Sequence, residues 1–188
     1  MNQSKTTLFQ WALLFTVALT VILLDQLTKW IVVNNLSLYE TYAPIPAFER
    51  FFHFTFVRNT GAAFGLFSFA GNVFMVVAVI ASGVIIYYYR QVEGKSLGAW
   101  LMRLAMGMQM GGALGNALDR VTRGYVVDFI HVFYEPYFDY PVFNIADCGV
   151  VIGVLMLIFL LWQEDKKRKQ AEAPPESDLV MPEEDQRI

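Results

Sequence analysis

The chain reads as an all-α membrane protein with four transmembrane helices and a small extracytoplasmic sheet. Three observations predict this. Of the 188 residues, 56% are hydrophobic and only 16% charged, too apolar for an ordinary soluble domain. Four apolar segments each approach the ~20 residues that a helix needs to cross the hydrocarbon. Glycines recur every four residues in two of them, Gly107, Gly111 and Gly115 in one and Gly149 and Gly153 in the other. That spacing lets helix backbones approach closely in lipid.

The first span runs from about Leu8 to Val33. A cleavable signal is its alternative, but Lys5 is the only base before it and no small-x-small cleavage site follows. Between about Asn34 and Ser68, Phe52, Phe54 and Phe56 alternate with His53, Thr55 and Val57, which predicts a short strand or two lying at the interface. Pro44 and Pro46 exclude a helix there. The second span covers about Phe69 to Tyr89, the third Leu97 to Leu118, and the fourth Ile145 to Trp162. An outer loop from Asp119 to Asn144 joins the last two. These elements make one membrane domain, residues 1–163, followed by a charged tail, 164–188, whose Pro- and Glu-rich composition predicts disorder. If the glycine faces of the third and fourth spans meet, Asn116, Asp119 and Arg120 approach Asn144 and Asp147.

Charge sets the direction. From Glu164 onward there are eight acids and five bases, so the body is neutral, with nine of each. No basic surface argues for nucleic acid. Lys5, Arg90, Lys95, Arg103 and the run 166–169 fall on one side if the spans alternate. The positive-inside rule then puts both termini in the cytoplasm. Body acids other than Glu93 lie on the opposite, outer side, and chemistry is expected there. One cysteine and two histidines are too few for a cysteine or histidine metal cluster. Neither a metal nor a cofactor is expected.

Two acids stand out. Asp128 lies within Val126-Val127-Asp128-Phe129-Ile130, in the outer loop, and Asp147 follows Phe143-Asn144-Ile145-Ala146 at the head of the fourth span. A carboxylate near lipid is costly unless paired, protonated or wet. Two at one membrane boundary can share a proton, as aspartic proteases require. Each also has a plainer reading, Asp128 as a turn or ion-pair residue and Asp147 as a helix cap. Asn59, Asn116 and Asn144 can hold a peptide backbone or an oxyanion, or simply cap helices and turns. Arg58 and Arg120 can anchor lipid head groups or merely snorkel. Asp25 and Lys29 are four apart and read as an ion pair. Asp119 has Arg120 and Arg123 as near partners. Cys148, in apolar sequence, reads as a packing residue. A transporter with buried acids and a structural helper packing through its glycines are the competing readings.

Four stretches carry a family resemblance: Asp25-Gln26-Leu27-Thr28-Lys29; Val57-Arg58-Asn59-Thr60-Gly61-Ala62-Ala63-Phe64-Gly65; Gly112 to Arg120 continuing through Gly124 to Phe129; and Phe143 to Asp147. Together they resemble the lipoprotein signal peptidases (signal peptidase II), membrane aspartic proteases of bacterial lipoprotein maturation. The resemblance implies four membrane helices with an outer β-cradle, about 34–68. It implies Asp128 and Asp147 as catalytic residues, Asn59, Asn116, Arg120 and Asn144 as substrate-binding, and Asp25, Lys29 and Asp119 as supporting; Arg58, next to Asn59, is also expected to support the site. The implied partners are membrane lipid and prolipoproteins whose lipobox cysteine already carries diacylglycerol, cut just before that cysteine. The implied setting is the bacterial cytoplasmic membrane, with the enzyme functional as a monomer.

Overall fold

The computed structural model describes residues 7–61 and 70–172. Lys5, most of the stretch 61–65, and the chain after Glu172 lie outside them. Four helices and a four-stranded antiparallel sheet follow in the order α1 (Leu8–Asn35), β1 (Thr41–Tyr42), β2 (Phe52–Asn59), α2 (Ala70–Tyr89), α3 (Leu97–Arg123), β3 (Val126–Tyr134), β4 (Phe138–Asp139) and α4 (Ile145–Glu172). A single turn of 3-10 helix at Pro46–Phe48 lies between β1 and β2.

The helix starts are written locally. Thr7 caps α1, with Gln10 reaching back to the Thr7 N–H, and Ser96 caps α3. Gly124 ends α3 in the left-handed region, at φ 78°. A residue with a Cβ is strained there, and glycine lets the chain turn directly into β3.

Helix α3 is the centre of the bundle and packs against α1, α2 and α4. Its glycines explain how, and they correct one expectation. Gly107 and Gly111 face α1, not α4. A Cβ on Gly111 would lie 2.6 Å from the Ala18 carbonyl oxygen, and one on Gly107 would lie 2.8 Å from Val17 Cβ. The residue that meets α4 is Gly112, whose Cβ would run into the Ala146 carbonyl oxygen. Gly153 returns the contact against the Ala105 carbonyl, and Gly149 meets the Met108 carbonyl. Gly115 stands between Asp25 and Ala146. The single stripe expected from four-residue spacing is therefore two adjacent faces, because α3 touches helices on both sides.

Being enclosed, α3 buries polar Arg103 and Asp119 as well as Met102, Ala105, Met106 and Met110. By contrast, α1 and α4 expose large apolar side chains such as Leu19, Leu23, Leu155 and Ile158. Both are long and apolar enough to cross a membrane, and within α2 the stretch Val73–Tyr89 is apolar but shorter. So much exposed apolar surface fits lipid and does not fit water.

The sheet runs β1-β2-β3-β4. Two of its strands come from the segment expected to be a loop between the third and fourth spans, so the sheet draws on more of the chain than 34–68. Val32, Phe56, Val127 and Phe129 form the apolar cluster that fixes it to the end of α1. Helix α4 also extends beyond the expected membrane domain. It runs past Glu164 to Glu172, with Asp165–Lys169 and Arg168–Glu172 pairs one turn apart. The composition rule for disorder missed this because such pairs support an exposed helix.

Candidate active site

Asp128 is delivered by a strand. Its neighbours Val127 and Phe129 point into the apolar cluster, and side chains alternate along a strand, so Asp128 is left on the opposite face. It pairs with Val57 across β2 and β3, and only 2% of it is exposed. Asn144 Nδ2 donates to its Oδ1 at 2.6 Å, and Asn59 Nδ2 to its Oδ2 at 2.8 Å. Burial pushes its carboxyl up to about 6, and the nearby Asp147 charge adds to this, against the pull of the two amides and of Lys29.

Asp147 is delivered by the first turn of α4. Asn144 Oδ1 accepts the Asp147 N–H at 2.9 Å, and Asp147 Oδ2 accepts the Asn144 N–H at 3.1 Å. This is a reciprocal capping box with Asn and Asp in the two roles. The second oxygen, Oδ1, accepts from Asn116 Nδ2 at 2.7 Å. Asp147 therefore does cap its helix, and that cap holds it beside the other acid.

One pairing brings the acids together. Residues after β4 return along β3, and Phe143 exchanges hydrogen bonds with Ile130 at 3.0 and 2.8 Å. The next residue, Asn144, then sits against Asp128. Asn144 is fully buried and contacts both carboxylates, one through its amide and one through its backbone.

Each asparagine is oriented by a donor on its oxygen. The Gly61 N–H donates to Asn59 Oδ1 at 2.8 Å. Lys29 Nζ donates to Asn116 Oδ1 at 2.9 Å, as does Asn144 Nδ2 at 3.1 Å. With the oxygens so occupied, the three NH₂ groups point at the carboxylates.

Below the acids lies a buried ion cluster. Lys29 Nζ is 2.8 Å from Asp25 Oδ2 and 3.0 Å from Asp119 Oδ2, all three with no exposure. Arg123 pairs with Asp119. Thus the expected Asp25–Lys29 pair is half of a larger unit, and Asp119 chooses Lys29 and Arg123 over Arg120. Arg120 donates to the Asn116 carbonyl at 3.1 Å and lies over the Phe74 ring, within electrostatic reach of both Asp128 and Asp147.

Arg58 is not brought to the acids. It pairs with Val127, on the other face of the sheet, and stacks over Tyr125 and Phe56 at 4.9 and 5.9 Å. One contributor was missed. Gln26 donates to Asp25, Asp119 and the Gly115 carbonyl and accepts from Arg123. Its position between Asp25 and Lys29, one turn apart, was the available signal.

The arrangement matches known proteins over most of its length. Residues 17–163 match the family described as signal peptidase (SPase) II. A lipoprotein signal peptidase of Halothermothrix orenii is 41% identical over 155 residues, 82% of this chain and 98% of that one. One of Bacillus subtilis is 40% identical over 162 residues, 84% of this chain and 99% of that one. A solved bacterial membrane enzyme superposes with a TM-score of 0.74 at 31% identity, covering 93% of this chain and all of the other.

Proposed function

We propose, from the premise that this chain belongs to the signal peptidase II family, that Asp128 and Asp147 are the catalytic pair of an aspartic endopeptidase. The chain is a membrane protease that removes signal peptides from lipoproteins. Its substrate is a prolipoprotein already carrying diacylglycerol on the lipobox cysteine, and the bond cut is the one before that cysteine.

The observation that carries this reading is the shared Asn144, which binds one carboxylate through its side chain and the other through its backbone. The pair shares one proton, and it resides on Asp128, whose burial favours the neutral form. Asp147 takes a proton from the attacking water while the water oxygen bonds to the scissile carbonyl carbon. Asp128 gives its proton to the carbonyl oxygen, forming a neutral tetrahedral diol. On collapse Asp147 returns its proton to the leaving nitrogen, the C–N bond breaks, and a diol proton goes back to Asp128. Asn59 and Asn116, each donating to one acid, and Arg120, facing both, line the approach of the extended substrate backbone. Asp25, Lys29 and Asp119 support the acids from within the bundle.

All four helices cross the bacterial cytoplasmic membrane, with both termini inside and the acids at the outer face. The sheet forms the outer cradle, membrane lipid surrounds α1 and α4, and one chain suffices for activity. Asp128→Asn and Asp147→Asn, each purified and folded, are expected to lower cleavage of a diacylglyceryl-modified precursor by about 10³-fold or more, at the upper part of the range for losing a general acid or base. Cleavage at the wild-type rate in either variant would overturn the assignment.

A further inference from the structure

One buried charge supports the two acids through intermediaries: Lys29 bonds to Asp25, Asp119 and Asn116. Lys29 is fully buried beneath the two acids, and its two carboxylate partners have a geometry in common. Asp25 uses its other oxygen to accept the Ala146 N–H at 3.0 Å. Asp119 accepts the Val127 N–H at 3.0 Å on the oxygen that faces Lys29. Ala146 immediately precedes Asp147, and Val127 immediately precedes Asp128. The lysine also donates to Asn116 Oδ1, and Asn116 in turn donates to Asp147.

We propose that Lys29 is the positioning residue of the site: one ammonium holds Asp25 and Asp119 together, and they fix the backbone at the two residues that precede the catalytic acids. The acids come from different elements, a strand and a helix start, that share little local structure. A clamp acting on both backbones sets their separation, and errors of about 1 Å in such separations cost roughly 10²-fold in rate. The same charge also acts on the acids directly. The charged groups facing the pair are Lys29 from α1 and Arg120 from α3, with Asp119 of α3 behind Lys29. Removing Lys29 takes away a positive charge that favours the ionised form of Asp128, and so favours its protonated form.

This inference rests on the aspartate pair proposed above, so Asp128→Asn is measured alongside. The full-length enzyme in detergent micelles is assayed on a diacylglyceryl-modified lipobox precursor with Lys29→Met. The result expected is kcat lower by ~30-fold or more, KM within about threefold, and the pH profile of kcat/KM displaced to higher pH. A residue that merely stabilised the fold would change the melting temperature and leave the profile of the folded fraction in place.

Because Lys29→Met leaves two buried carboxylates with one partner, Lys29→Met/Asp25→Asn is made as well. It keeps an acceptor for the Ala146 N–H and leaves the remaining Asp119–Arg123 pair neutral. It is expected to melt near the wild type and still to show the loss in kcat and the displaced profile. Wild-type kcat and profile in the folded double variant would overturn the proposal, as would failure of both variants to fold, which would make Lys29 a fold-stabilising residue only. Activity persisting in Asp128→Asn would instead sink the aspartate assignment itself.

Discussion

At the scale of single residues, Asn144 joins two jobs that are usually separate. Its oxygen caps α4 through the Asp147 N–H, and its NH₂ group donates to Asp128. The jobs are separable by substitution. Serine accepts the Asp147 N–H as a cap but offers no amide to Asp128. Asn144→Ser is therefore expected to hold stability within about 1 kcal/mol while lowering kcat by roughly tenfold or more through loss of a donor to Asp128. Asn144→Ala loses both, and its unfolding free energy should fall by a further ~1 kcal/mol. Thermal unfolding and precursor cleavage measured on the same samples check this. Equal activity of Asn144→Ser and wild type would show that the amide contributes nothing to catalysis.

At the scale of elements, backbone contact places the site. Gly112 lets α3 press against the start of α4 at Ala146, one residue before Asp147. Gly83 on α2 has open space where a Cβ would go. Gly112→Ala should thus cost about 1–3 kcal/mol of stability through overpacking and displace the head of α4, lowering cleavage. Gly83→Ala should be neutral or stabilising by up to about 1 kcal/mol, since glycine is the weaker helix former. Denaturation of the two variants in matched micelles distinguishes them. A Gly112→Ala protein as stable as Gly83→Ala would mean that the helices part without cost. The sheet acts at the same scale. Its β3 strand turns Val127 and Phe129 inward and so turns Asp128 to the site, while the Ile130–Phe143 pairing brings Asn144 to it.

At the scale of the whole molecule, the site is held against stability. A buried acid whose folded value stands at about 6, above its ordinary 3.8, binds its proton more tightly in the folded chain than in the unfolded one. The folded state then carries the extra proton between about pH 4 and 6, and stability falls as pH rises across that window. The ceiling on this loss is about 3 kcal/mol, taking ~1.4 kcal/mol for each unit. Asp128→Asn removes the titration. Its melting temperature should be less pH-dependent than that of the wild type, with the variant gaining relative to the wild type as pH is raised from 4 to 7. The gain stays below the ceiling, because one amide oxygen cannot accept from both Asn59 and Asn144 in the way two carboxylate oxygens do. Parallel pH-dependence in the two proteins would contradict the burial of a protonated Asp128. Across the bundle, lipid-facing side chains on α1 and α4 and polar side chains enclosed around α3 divide the molecule into an apolar exterior and an ionic interior.

Alone, the sequence placed the four helices and singled out Asp128 and Asp147 as carboxylates in apolar surroundings. Hydrophobic length and the isolation of those two acids are local properties, and they are written in consecutive residues. The Asp25–Lys29 pair was legible for the same reason, being one helical turn apart. Only the tertiary structure decided that Asp128 rides a strand, that Arg58 faces away, that Gly112 and not the Gly107–Gly111 stripe meets α4, and that Asp119 completes the Lys29 cluster. Those outcomes depend on pairing between β2 and β3 and on which face of α3 meets which neighbour. Contacts between segments far apart in the chain leave little trace in the periodicity of either segment alone.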